Sequence, residues 1–302
     1  MPLAPSPTQA GPDAAVAAWK SLDGTAFPVL KWLPANAAAP EAMIVCVHGL
    51  SGAADDFEQL GEKLSAAGNA VYAYNLRGQG KDPMKKRVGD IRKREHWFAD
   101  LDSFLTHTRT LHPHTPVFIY GESLGALIVM HGFGDLSAEN RAAVRGLIYG
   151  SPVVALPGEL PPFKHFLVRA LIKICPNLKV SLLKLAGDGA AQVSGDADND
   201  HWDQMRKTPH FVERFTFRML GTVSSMIKGS AGAATPIEKP VLVLYPGKDV
   251  FSTPEQVEAF YKPLKSKDKS KRLFAESHHL LFYDKQREEL FKLVREWVAK
   301  RS

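Results

Sequence analysis

The sequence predicts an α/β fold with a mostly parallel central sheet, an antiparallel N-terminal edge, helices on both faces and a helical cap insertion. Three observations carry that expectation. Short runs rich in Val, Ile and Tyr alternate with stretches of helical periodicity, a hairpin signal precedes the first of them, and one late connection is far longer than a crossover needs.

In chain order, residues 1–12 are rich in Pro and Ala, lack a basic start and an unbroken apolar stretch, and read as a flexible tail. Trp19 to Leu22 and Phe27 to Trp32 flank Asp23-Gly24, a pair that favours a tight turn, so a hairpin is expected at the sheet's edge. Parallel strands are expected at Ile44 to Val47, Val71 to Tyr74, Val117 to Tyr120, Leu147 to Tyr149, Val241 to Tyr245 and Arg272 to Ala275. Such short, nearly continuous apolar runs suit strands buried on both faces. Phe57 to Ala67, Phe98 to Leu111, Leu124 to Phe133 and Gln286 to Lys300 carry apolar residues three and four apart, the mark of amphipathic helices.

About ninety residues separate the strand ending near Tyr149 from the one beginning near Val241. Within them Phe163, Phe166, Leu167, Ala170, Leu171 and Ile174 fall at helical spacing, and so do Val212, Phe215, Met219, Val223 and Met226. Residues 151–237 are therefore expected to form a helical cap, inserted into a core made of 13–150 and 238–302.

Composition narrows the class. The chain has 302 residues, 45% of them hydrophobic and 23% charged, which suits a folded globular protein with a sizeable core. Cys46 and Cys175 are the only cysteines, so no disulfide framework is expected, and Cys46 inside an apolar run reads as a core residue. The net charge of +6 is concentrated in Lys85 to Arg87, Arg92 to Arg94 and Lys265 to Arg272. None of these stretches is interleaved with stacking aromatics, so no nucleic acid is expected as a partner and a solvated face is preferred. No apolar run is long enough to cross a bilayer, and the expected location is the cytoplasm. The sequence leaves oligomeric state open.

Gly121-Glu122-Ser123-Leu124-Gly125 carries the chemistry. This GxSxG pentapeptide follows an expected strand directly and precedes an expected helix, a context that places the central serine on a tight, strained turn at the sheet's C-terminal edge. Ser123 is the expected nucleophile. The Leu124 N–H then sits at a helix N-terminus, where partial positive charge can receive an oxyanion, and Leu50, in the His48-Gly49-Leu50 loop after the first parallel strand, is the expected second donor. His48 precedes the nucleophile and is assigned to shaping that loop.

A serine hydroxyl is a weak nucleophile at neutral pH, so a histidine must take its proton and a carboxylate must orient the histidine. Asp249, reached through Pro246-Gly247-Lys248 after a late strand, is the expected acid. The base should follow the last strand, where His278 and His279 stand side by side; neighbouring side chains on extended backbone point opposite ways, so only one can serve. Two other clusters read as structural. Asp196, Asp198 and Asp200 begin like a calcium loop, but His201 and Lys207 stand where glycine and glutamate are needed, and His107, His112 and His114 border a proline turn. The mechanism needs no metal and no cofactor.

With these residues in view, the chain resembles the monoacylglycerol lipases and lysophospholipase-like hydrolases of the α/β-hydrolase superfamily, from about Leu22 to Trp297. The marks are His48-Gly49-Leu50, Asn75-Leu76-Arg77-Gly78-Gln79-Gly80, Phe98 to Phe104, the GxSxG pentapeptide, Gly247-Lys248-Asp249 with Pro254, and His279-Leu280-Leu281-Phe282-Tyr283-Asp284. In that family an acidic residue typically stands five positions after the catalytic histidine, which Asp284 satisfies for His279, so the resemblance selects His279. It departs from the family at Asn75, Gln79 and Ala126, where Asp, His and Gly are common.

The resemblance implies a serine carboxylic-ester hydrolase acting through an acyl-enzyme, with a mobile cap over an acyl pocket. The implied substrates are monoacylglycerols, lysophospholipids or simpler esters. It also makes a transient membrane-surface contact through Phe163 and Leu167 an expectation, although packing is preferred for the cap's apolar faces around Phe166 and Phe215. A thioesterase, a peptidase acting on small N-terminal residues or a cofactor-free perhydrolase would use the same triad. A haloalkane dehalogenase needs Asp at the elbow, where this chain has Ser123. From a different class, a ligand-binding receptor on the same scaffold is the alternative, distinguished by whether Ser123 reacts with a fluorophosphonate.

Overall fold

The computed structural model of the chain describes residues 17–35, 39–155, 170–181 and 210–302. The expected tail at 1–12, the cap residues Phe163, Phe166 and Leu167, and the acidic stretch from Asp196 to Asp200 with His201 and Lys207 lie outside the described residues.

Two antiparallel strands, β1 (Ala17–Lys20) and β2 (Ala26–Trp32), open the fold. Their connection turns at Gly24, whose φ of +78° suits glycine, while Asp23 Oδ1 accepts from the Thr25 N–H at 3.0 Å. The first strand ends before Leu22, which is exposed, so the hairpin is shorter than the apolar pattern implied. Next come β3 (Met43–Val47), β4 (Ala70–Tyr74), β5 (Val117–Glu122) and β6 (Val144–Gly150), followed by the short β7 (Lys179–Ser181) and β8 (Arg214–Thr216), and finally β9 (Val241–Pro246) and β10 (Lys269–Phe274). The helices are α1 (Glu58–Ala66), α2 (Glu95–Leu111), α3 (Leu124–Gly132), α4 (Ala138–Ala143), α5 (Phe217–Ala234), α6 (Pro254–Tyr261) and α7 (Arg287–Ala299).

Eight strands form one sheet in the order β1-β2-β4-β3-β5-β6-β9-β10, parallel from β4 through β10, with β2 antiparallel to β4. After β3 the chain steps outward to β4, then returns past β3 to lay β5 on its other side. That reversal opens a crevice beyond the C-terminal ends of β3 and β5, the place where open α/β sheets bind ligands. Val47, paired with Gly121, marks its floor.

Alternation along the buried strands divides the core in two. Met43, Val45 and Val47 face one layer with Ile119, Leu127 and Trp97, whereas Ile44 and Cys46 face the other with Tyr120, Phe57 and Trp297. Trp19 contacts Phe104 edge-on with ring centroids 5.2 Å apart, and Tyr74 lies 4.6 Å from the same ring, so α2 is tied to the hairpin by aromatic packing.

Three expectations are corrected here. The last strand begins at Lys269 and ends at Phe274, earlier than the apolar signal placed it, because it is an edge strand with exposed charged residues on both faces, Lys271 and Arg272, paired with Glu258 and Glu289. Val212 and Phe215 do not belong to the helix that follows: β8 pairs with β7, and Thr216 Oγ1 accepts from the Met219 N–H at 3.1 Å, so α5 begins only at Phe217. The 151–237 stretch is therefore not purely helical. A helix not expected from periodicity, α6, is set by a capping box between Thr253 and Gln256 with Pro254 in its first turn.

Candidate active site

β5 ends at Glu122 and α3 begins at Leu124, leaving one residue to turn the chain. That residue is Ser123, with φ +52° and ψ −111°, outside the regions where a side chain is comfortable. Holding it there costs of the order of ~1–3 kcal/mol, which the surrounding contacts must offset. The Ser123 N–H donates to Gly150 O at 2.9 Å, anchoring the turn to β6. Side chains at the flanking glycines would collide with the chain itself: a Cβ at Gly121 would strike the Gly125 carbonyl and Ala126, and one at Gly125 would strike the Val47 carbonyl.

Two loops at the far side of the sheet bring the partners. After β9, Gly247 and Lys248 lead to Asp249; after β10, Ala275 to His278 lead to His279. The loops are laced together, since the Gly247 N–H donates to Phe274 O at 2.8 Å and the Lys248 N–H to Ser277 O at 3.0 Å. His279 Nε2 lies 2.9 Å from Ser123 Oγ, and its Nδ1 lies 3.0 and 3.1 Å from the two Asp249 carboxylate oxygens. With Nδ1–H donating to the carboxylate, Nε2 is left to accept the hydroxyl proton. Asp249 Oδ1 also accepts from the Phe251 N–H at 2.9 Å, and the Phe251 ring stands edge-on to the imidazole, centroids 4.6 Å apart.

Burial disfavours the charged imidazole of His279, but the Asp249 charge and hydrogen bond, with a further contribution from the Glu122 charge, outweigh it and raise its pKa above the ordinary histidine value. His278 turns the other way. Its Nδ1 lies 3.0 Å from Asp284 Oδ2, and its backbone N–H donates to the same oxygen at 2.6 Å. Asp284, the residue by which the resemblance selected His279, thus holds His278 and the loop rather than His279.

The His48-Gly49-Leu50 loop lies against Ser123. A Cβ at Gly49 would come within 3.2 Å of Ser123 Cβ, tighter than ordinary contact. His48 is fully buried, and its tautomer follows from its partners: Nε2 accepts from the Leu76 N–H at 2.9 Å, so Nδ1 carries the proton and donates to Gly49 O at 2.8 Å. Burial pushes its pKa down to about 4. It is a neutral brace.

Two of the departures from the family pattern brace the same loop. Gln79 Oε1 accepts from the Ser51 N–H at 2.9 Å, holding Ser51 at φ +61°, and Asn75 Oδ1 accepts from the Ala54 N–H at 3.1 Å. Neither role was assigned from the sequence, which does not show which backbone amides the folded loop turns towards these side chains. Of the other histidines, His112 Nε2 meets the Tyr72 hydroxyl at 2.7 Å. Cys46 is buried in β3, where burial alone raises its thiol pKa, and Cys175 is exposed.

Comparison with known proteins agrees with this architecture. A family model described as serine aminopeptidase, S33, matches residues 38–286. The phospholipase YtpA of Bacillus subtilis is 26% identical over 260 residues, covering 85% of this chain and 94% of that protein. Among solved structures, a monoacylglycerol lipase from Paleococcus ferrophilus superposes with a TM-score of 0.71 at 25% identity, over 91% of this chain and 99% of that one. A soluble variant of the monoglyceride lipase of Saccharomyces cerevisiae, in complex with a substrate analog, gives a TM-score of 0.81 at 20% identity over 99% of each chain. With more than half its length matched and the same fold, the chain belongs to the α/β-hydrolase family described as serine aminopeptidase, S33.

Proposed function

We propose that the protein is a serine carboxylic-ester hydrolase for monoacylglycerol- or lysophospholipid-type esters, with Ser123 as nucleophile, His279 as base and Asp249 as its orienter. The observation that carries this reading is the unbroken relay from Ser123 Oγ to His279 Nε2 at 2.9 Å and from His279 Nδ1 to Asp249 at 3.0 Å. As Ser123 Oγ bonds to the ester carbonyl carbon, its proton passes to Nε2 and the carbonyl oxygen takes up negative charge. The Leu50 and Leu124 amides receive that charge. Leu124 opens α3, so the helix N-terminus adds its partial positive charge to the second site. His279 then returns the proton to the leaving alcohol, and a water activated by the same imidazole releases the acid.

A cap built on the 151–237 insertion is part of the same reading, and two of its described residues support it: the Val154 N–H donates to the Ser252 hydroxyl at 3.0 Å, beside the loop that carries Asp249, and Val212 O accepts from the Ser51 hydroxyl at 2.9 Å, beside Leu50. The substrate class rests on relatives named phospholipase and monoacylglycerol lipase. A lipid substrate makes transient contact with a membrane surface part of the same reading; among the described residues no helix is long and apolar enough to cross a membrane.

Ser123→Ala is expected to abolish turnover of p-nitrophenyl butyrate above the rate in water, and retained turnover overturns the assignment. A panel of 1-monoacylglycerols, lysophospholipids and p-nitrophenyl esters of graded acyl length, run beside a thioester and an aminoacyl amide, tests the substrate class. Glycerol and lysophospholipid esters are expected to lead. Preference for the amide favours the peptidase reading that the family description carries.

A further inference from the structure

Directly before the nucleophile stands a carboxyl that the triad does not use. Glu122 is buried, and the β5 alternation puts it on the same face as Phe118 and Tyr120. Tyr120 donates its hydroxyl to Glu122 Oε2 at 3.2 Å and packs its ring 5.5 Å from Phe282, so the carboxyl lies beneath the loop that carries His279. Room has been made for it: any side chain at Gly150 would collide with Glu122 Oε2 and the Tyr120 hydroxyl. Yet Glu122 Oε1 makes no well-formed hydrogen bond among the described residues: the buried Ser151 hydroxyl stands near enough to lower the carboxyl's pKa but is not aligned to bond it. A glutamine or methionine would fill the space without a buried charge, so the acid is a poor choice on packing grounds alone.

We propose that Glu122 is a positioning residue for the imidazole: a second carboxylate, beneath the loop that carries His279, that stabilises the imidazolium formed as Ser123 gives up its proton. The inference rests on the ester-hydrolase reading above. The groups that act on Glu122 are Tyr120 on its own strand, Ser151 after β6, the charge of His279 in the loop packed over Tyr120, and the charge of Asp56 on the turn before α1. Asp56 is itself held by the Ala53 N–H at 3.0 Å and the Tyr283 hydroxyl at 3.3 Å. Burial raises the Glu122 pKa to about 7, with the Asp56 charge adding to the rise, while His279 and the neighbouring hydroxyls oppose it. The carboxyl therefore titrates in the range where the histidine does, and protonating one group weakens the other's hold on its proton or charge.

The test reads the imidazole itself. In a protein carrying isotope-labelled histidine, the His279 ring signals are followed by NMR from pH 4 to 9 in the wild type, Glu122→Gln and Glu122→Asp. Glu122→Gln is expected to lower the His279 pKa by about half a unit to one unit, with Glu122→Asp recovering much of the loss. The acid limb of kcat/KM should move down by the same amount, and the plateau rate should fall roughly three- to tenfold. Superimposable titrations of wild type and Glu122→Gln overturn the proposal. Should Glu122→Gln not fold, the wild type decides alone: two inflections in the His279 titration support coupling to a carboxyl, and one inflection of unit slope overturns it. Failure of the hydrolase reading shows separately, as a wild type that turns over no ester while its NMR titration stands.

Discussion

Asp249 and His279 form the pair on which the proposed chemistry turns, and in that reading an amide in place of the carboxylate at Nδ1 is expected to change the ring's tautomer rather than its place. Asp249→Asn is expected to fold and to lose roughly three to four orders of magnitude in kcat, measured with p-nitrophenyl butyrate. The sign of the pH dependence follows from the ring's raised pKa. His279 must be neutral to accept a proton, so activity falls as pH drops through that raised value, and the acid limb should lie above 6.5. An acid limb below 6.5 contradicts the charge environment described. Neutral His48 sends the opposite signal in stability. Its pKa is about 4 in the fold against an ordinary 6.5, so the unfolded chain binds the proton first and its contribution to stability is lost as pH falls from 6.5 towards 4.

At the scale of elements, the elbow depends on glycines for close approach rather than for turning alone. Gly125→Ala would drive a methyl group into the Val47 carbonyl under α3 and is expected to abolish folding or shift the elbow, seen as loss of both the thermal transition and labelling. Removing the hydroxyl that caps α6, by Thr253→Ala, should cost only about 1 kcal/mol in denaturant unfolding. These elements differed in how plainly the sequence announced them. The buried strands were legible because each is a short, nearly unbroken apolar run, and the elbow because a strand, a glycine-flanked serine and an apolar helix adjoin. The edge strand β10 was misplaced because its exposed residues on both faces are charged, and α5 was begun too early because Phe215 is apolar for strand packing. The capping box of α6 was present in the letters and went unused.

For the molecule as a whole, strand order decides where the proposed site lies: the reversal between β3 and β5 opens one crevice, and the loops after β9 and β10 bring Asp249 and His279 to Ser123 there. Chain order of the three groups, and the donors' loops, could be read from sequence because that order is fixed by the topology. Glu122, Gln79 and Asn75 could not, since their roles depend on which backbone amides and side chains the folded loops bring within 3.2 Å. The same burial has a global cost. Glu122 binds its proton more tightly in the fold than in the unfolded chain, so stability declines as pH rises from about 4.5 to about 7. Glu122→Gln should raise the thermal midpoint, and more at pH 8 than at pH 5; equal midpoints at pH 8 would count against a charged carboxyl in that site.

The most direct test of the central assignment is peptide mapping by mass spectrometry after exposure to a fluorophosphonate. The arrangement of nucleophile, base and oxyanion donors calls for a single phosphonyl adduct on Ser123 in the wild type, strongly slowed in His279→Ala. An unmodified Ser123, or an adduct whose rate is indifferent to the loss of His279, would contradict it.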